Sequence, residues 1–288
     1  MRTRSAIAGG AVVTAAELEQ PAVAELLAGE RLRSVSLESR LLLAAARMAL
    51  RDARGRTHGP HIDADELGVV VATRHAGLQD YVELFREGTE GERPRVRPAK
   101  GPQSGLTAPA AEVSIRLPAA GPNATVSNGC VGGFDALRYA ADRLSAGDAS
   151  AMLVCEVDVT PDLLRATPAP DEQDPPAARA AAVVLEPEPA VRARGAVPCA
   201  LLGAVATAFS PAGDAAEAQA RASGEALATV GVEAGEAHAR DAGAPLAQLV
   251  AAVADLARAG VGDPLLLQAH DDGSAGAAVV HREPARSR

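Results

Sequence analysis

Strand-like and helix-like apolar patterns alternate along the chain to about Asp158, and a second such set follows a polar interruption. In the first set, residues 124–127 form a short apolar, β-branched run after Gly121 and Pro122, and from Phe134 onward Leu137, Ala141 and Leu144 share one helical face. Cys130, Gly132 and Gly133 lie between, so the segment predicts strand, tight turn, helix. The interruption, TPAPDEQDPP at 167–176, is rich in proline and acid and predicts a loop of low order. Beyond it the pattern predicts strands near 180–185 and 200–206, helices at 215–230 and 245–259, and a strand pair flanking Gly273. Residues 88–102 read as a polar loop and the tail 282–288 as frayed. No short-period repeat is present. The class is α/β, divided into a first half at 1–160, a connector at 161–178 and a second half at 179–288.

Cys130 is the first candidate for chemistry. A thiol at a strand-to-helix turn lies at a helix N-terminus, where unpaired N–H groups and the positive end of the dipole favour thiolate and can hold a carbonyl oxygen. A free cysteine is also a small hydrophobe, and position alone leaves both roles open. Aromatic residues give a second candidate. The chain has two tyrosines, three phenylalanines and no tryptophan, so Tyr81 and Phe85 at i,i+4 concentrate a scarce residue type on one helix face. With Leu78 and Val82 they form a stripe, which suits ordinary core packing as well as a binding wall.

Charge and cysteine usage narrow the classes. A formal net charge of −9 argues against a nucleic-acid partner, which needs a basic patch. Lys100 is the only lysine, so a surface that receives an acidic protein depends on arginines or on a partner. Cys130, Cys155 and Cys199 are too few for a disulfide framework, and no CxxC or His/Cys cluster has metal spacing. No metal or other cofactor is expected. No apolar run is long enough to cross a membrane and residues 1–10 hold no hydrophobic signal core, so the expected location is cytoplasmic and without a membrane partner.

The frame around Cys130, GPxxTVxxxCxxGxxALxxAxxxLxxGxAxxMLV, resembles the nucleophile region of the β-ketoacyl synthases, which have the thiolase-like fold. SAIAGGAVVTAAEL at 5–18 is similar to that family's first strand and turn, SLESRLLLAAARMALRDA at 36–53 to its first long helix, and IDADELGVVVAT at 62–73 to the strand leading to the substrate region. AARAAAVVLEP at 177–187 resembles the equivalent strand of the second half, and QAHDDGSAGAAVVH at 268–281 the glycine-rich loop and last strand. The resemblance implies a layered αβαβα fold of two pseudo-duplicated halves, the second shortened.

A condensing synthase uses its cysteine to carry the acyl chain and two histidines to decarboxylate the extender and stabilise the developing anion. Here the resemblance places Ala242 at the second histidine, and His238 is the only imidazole near the first, in a segment expected to be an exposed polar loop. Asp271 takes the place of the gatekeeper phenylalanine. A scaffold kept while its chemistry is lost resembles a chain-length factor of type II polyketide systems, of the highly reducing, polyene-forming kind. Such a protein pairs with a ketosynthase subunit, and the growing chain, delivered on an acyl carrier protein, extends into a tunnel at their interface. The family's gating helix, GGFxxxxxxFxxLW, is matched by AGLQDYVELFREG at 76–88, which puts Leu78, Tyr81 and Phe85 at the gating positions. Pro102 and Phe134 are the further expected tunnel residues. Ala124, Thr125, Val126 and Ser127 are expected to pair across the dimer axis, because an unpaired central edge invites aggregation. Two alternatives stay open: a stand-alone acyltransferase or thioesterase-like enzyme that uses Cys130, and a homodimeric scaffold without a tunnel.

Overall fold

Strands built from continuous apolar residues, such as LGVVVAT at Leu67–Thr73 and RAAAVVLEP at Arg179–Pro187, must bury both faces, and both do so between layers of helices. The computed structural model describes residues 4–55, 62–90, 97–166, 178–230, 238–241, 265–271 and 274–281. In chain order the first half contains β1 (Ser5–Thr14), α1 (Pro21–Leu26), α2 (Leu37–Gly55), β2 (Leu67–Thr73), α3 (Leu78–Thr89), α4 (Ala108–Arg116), β3 (Asn123–Val126), α5 (Gly132–Ala146), β4 (Ala151–Asp158) and α6 (Asp162–Ala166). There follow β5 (Arg179–Pro187), α7 (Glu188–Ala193), β6 (Ala200–Phe209), α8 (Ala215–Val230), β7 (His238–Asp241), β8 (Leu265–Asp271) and β9 (Ser274–His281).

The strands make one curled sheet in the order β3-β2-β4-β5-β1-β6-β9-β8-β7. Alternation within each strand feeds two layers. Val70 and Ala72 of β2, Val154 of β4 and Val183 of β5 face inward with Phe134 and Leu137 of α5. Val69, Val71, Leu153 and Val184 face outward against α2. In the second half Ala278 and Val280 of β9 join the α5 core, while Ala277 and Val279 face α8. The layers are therefore α2 with α4, the first half-sheet, α5, the second half-sheet, and α8. This is the expected αβαβα stack of a thiolase-like fold.

The two halves repeat one strand arrangement outward from their junction. They meet where β1 pairs antiparallel with β6 through Ser5 to Leu202, Ala6 to Leu201 and Ile7 to Ala200. Away from that junction, β1 pairs antiparallel with β5, as β6 does with β9. A parallel pair lies farther out on each side, β4 with β2 and β8 with β7. Each arm also carries one bulge, at Ala8 in β1 and Gly203 in β6, two residues beyond the central pair Ala6 and Leu201. The Cys199 thiol donates to the Ala8 carbonyl, Sγ to O 3.3 Å, satisfying backbone at the first bulge. Alanine makes the layers thin enough to pack closely. At Gly9 a Cβ would stand 2.5 Å from the Ala53 nitrogen and 2.6 Å from the Ala49 carbonyl, so α2 lies directly on the β1 backbone.

Several sequence expectations change. The helix after Cys130 starts at Gly132, not Phe134, and both glycines are buried in its first turn, with Gly132 facing Ala72 of β2. The segment expected as polar loop to Pro102 ends in a 3-10 helix, Pro98–Ser104, and α3 itself runs on to Thr89. His238 begins a strand rather than lying in a loop, because β8 offers it a parallel partner at Leu265. Ser127 falls just beyond the end of β3 and is exposed. The low-order loop at 167–176, the helix at 245–259 with Ala242 before it, and the tail at 282–288 lie outside the described residues. Among the described residues no helix is long and apolar enough to cross a membrane.

Candidate functional site

The turn that carries Cys130 stands at the carboxyl ends of the parallel strands β2 and β3, a usual ligand position in open α/β sheets. Cys130 is the middle residue of a single 3-10 turn, Gly129–Val131, that runs straight into α5. Gly129 enters it at φ +51°, a left-handed value that a side chain resists. Strands β8 and β9 of the second half pack against this turn, so it lies where the two halves meet.

Asp135, in the first turn of α5, ties the turn to both halves. Its carboxylate accepts from Asn128 Nδ2 at 2.7 Å, from Thr207 Oγ1 on β6 at 3.0 Å, and from Arg138 at 3.2 Å. An acidic group there stabilises the helix through the dipole. The other two cysteines are structural. Cys155 is fully buried on β4, and burial pushes its thiol far above the ordinary range. Cys199 is buried at the β1 bulge.

The gating candidates lie on a different kind of helix. No residue of α3 is buried, and Tyr81 and Phe85 are 57% and 61% exposed. The stripe of Leu78, Tyr81 and Phe85 is thus not core packing of this chain. The opposite face is charged: Glu83 pairs with Lys100, Glu87 lies 3.4 Å from the same ammonium, and Arg97 Nε donates to Glu87 at 2.7 Å. The Arg97 guanidinium holds the Glu87 carboxyl down to about 2, and hydrogen bonds from Lys100 and Gln79 lower that of Glu83. At its start, α3 is tied to α6 through Gln79, whose amide oxygen accepts from the Asp162 nitrogen at 3.0 Å.

The other expected site residues divide. Phe134 is fully buried in the inner core, with its ring where a Cβ on Gly276 would stand at 2.2 Å, so it wedges α5 against β9. Pro102 is exposed within the 3-10 segment. Ala124, Thr125 and Val126 are half-buried on β3, the terminal strand of the sheet, bonded to β2 on one side. The Thr125 hydroxyl is buried with no hydrogen-bond partner among the described residues. Ile115, on the α4 helix that packs beside β3, is 76% exposed. Sequence reasoning missed Asp135 and the Lys100 cluster. The Glu83/Glu87 spacing opposite the aromatic stripe was the available signal for the second; nothing local marked the first, since Thr207 is remote in sequence.

No curated protein sequence matches the chain. Among solved structures, the ishigamide ketosynthase/chain length factor superposes with a TM-score of 0.82 at 21% identity, over 97% of this chain and 99% of that one. A type II PKS acyl-carrier protein complex with its ketosynthase bound to the hexaketide, AntDE:AntF, matches at TM-score 0.78 and 17% identity, over 98% and 100% of the two chains. A β-ketoacyl synthase from Burkholderia phymatum gives 0.76 and 17%, with the same coverage. These likenesses establish the fold. The model of the β-ketoacyl synthase N-terminal domain matches residues 5–166, more than half of the sequence and the whole of β1 through α6. With the Cys130 turn, its strand and its helix all inside the matched span, the chain belongs to the β-ketoacyl synthase family.

Proposed function

We propose that this protein is a chain-length factor: it pairs with a ketosynthase subunit, forms part of the tunnel for a growing polyketide or polyene chain, and does not itself condense. The observation that carries this is the pair Tyr81 and Phe85, large aromatic side chains left in water on a helix that no core packing requires. Isolated exposed apolar residues are ordinary, but this stripe, Ile115 and the edge of β3, which has no second strand partner among the described residues, all occur on consecutive elements from α3 to β3. A partner strand added to β3 would satisfy its outer backbone groups and bring a source of partners for the Thr125 hydroxyl.

In this arrangement the ketosynthase supplies the reactive thiol and histidines, and receives the acyl carrier protein. Leu78, Tyr81 and Phe85 form the wall that the chain meets, with Pro102 nearby on the segment that supports α3. Ala124, Thr125, Val126 and Ser127 form the pairing strand and its end. A rigid ring stops elongation by excluded volume, since forcing an extra methylene into a filled site costs about 1–3 kcal/mol. Phe134 contributes through packing.

The test is co-expression with a ketosynthase subunit and tagging of this chain. Co-purification in equal amounts is expected, together with altered product length on Tyr81→Ala or Phe85→Ala. A stable monomer at micromolar concentration that elongates thioesters alone would overturn the proposal and favour the Cys130 acyltransferase.

A further inference from the structure

We infer that Lys100 is the positioning residue that sets the tunnel wall, holding α3 at a fixed distance so that Tyr81 and Phe85 end the cavity at one depth; this rests on the tunnel role proposed above. An unburied helix has little to define its place except polar contacts. Helix α3 packs chiefly on the 3-10 segment Pro98–Ser104, and the cluster of Lys100, Glu83, Glu87 and Arg97 joins the two. Lys100 is its centre, with a side chain 17% exposed that reaches two carboxylates one helical turn apart. Such a network loses less side-chain entropy per contact than separate surface pairs and is less open to screening.

The supporting segment is itself anchored in the body of the fold. Gln103 is buried; its amide oxygen accepts from the Ser36 nitrogen at 3.3 Å, and its amide nitrogen donates to Glu112 of α4 at 2.7 Å. The backbone of Ser104 closes on Gly77, where a Cβ would meet it at 2.8 Å. Through Gln103 the segment that carries Lys100 is joined to Ser36, the residue just before α2, and to α4, so Lys100 links the packed body of the fold to a helix with no buried residue. Glu83 and Glu87 project from the side of α3 opposite Leu78, Tyr81 and Phe85, so a pull on one side sets the position of the other.

The experiment uses the complex with the ketosynthase and reads two quantities, product length and hydrogen exchange along α3. In Lys100→Met the α3 amides are expected to exchange about tenfold faster, in line with loss of a charged hydrogen bond. A single product length is then expected to broaden into several. Glu83→Gln with Glu87→Gln should do the same, and Lys100→Arg should restore one length. If Tyr81→Ala shifts product length while Lys100→Met leaves both length and exchange unchanged, the inference is overturned and the tunnel role survives. If Tyr81→Ala and Phe85→Ala leave length unchanged, the tunnel role itself is overturned.

Discussion

Helices α2 and α3 are neighbours in sequence and opposites in how they are held. Among the 19 residues of α2, eleven are buried, including Leu41, Leu42 and Leu43, and the helix lies against the β1 backbone at Gly9. Among the 12 residues of α3 none is buried, and charge on one face holds it while aromatic rings face outward on the other. Burial fixes α2 because removing its leucine and alanine side chains from water is favourable. The same driving force on α3 is left unspent within this chain, which is the expected condition of a surface that another molecule completes.

The comparison breaks first at α2. Gly9→Ala forces a methyl into backbone atoms that cannot yield, and it is expected to leave the protein insoluble, or to lower stability by more than the about 1–3 kcal/mol of ordinary overpacking; solubility and thermal unfolding report this. Leu42→Ala is expected to cost about 2–5 kcal/mol, read from denaturant midpoints. A loss below 1 kcal/mol would show that α2 is not the buried member of the pair.

Glu30 tests a polar tie on the α2 side. Its carboxylate bonds to Arg47 of α2 and Arg116 of α4, and the Arg47 guanidinium first, then Arg116, hold it below the usual carboxylate range. A lowered folded value means stability that is present above the ordinary carboxylate pKa and is lost as pH falls through the lowered one. Glu30→Gln is therefore expected to lower the melting temperature at pH 7, by an amount corresponding to about 1–3 kcal/mol for a charged hydrogen bond. The difference from wild type should close as the pH drops below 4, the approximate ordinary range; a constant difference would assign the loss to packing. The smallest effect belongs to the exposed rings. Tyr81→Ala and Phe85→Ala should change the stability of the chain by less than about 0.5 kcal/mol while changing product length in the complex.

Much of this was legible before any coordinates. The apolar pattern marked β5, β6 and the helix at Ala215–Val230, and the family resemblance marked the strand at β2. The pattern could not show that Gly132 and Gly133 belong to α5, because glycine disfavours helix in isolation and their burial in its first turn depends on tertiary packing. Nor could it show β7, where HARD has little strand propensity and β8 supplies the pairing. The aromatic stripe was visible as a stripe, but whether it faced core or solvent depended on tertiary placement. The same limit hid Asp135, whose partners Asn128 and Thr207 come from opposite halves.

The two matched bulges have a practical consequence. Ala8 and Gly203 share no side-chain chemistry, yet each interrupts its ladder at the corresponding step from the central seam. What the two arms share there is a backbone shape rather than a sequence. An engineer who straightens one kink should anticipate a mismatch with its twin, and grafts between relatives will join most smoothly when both kinks travel together.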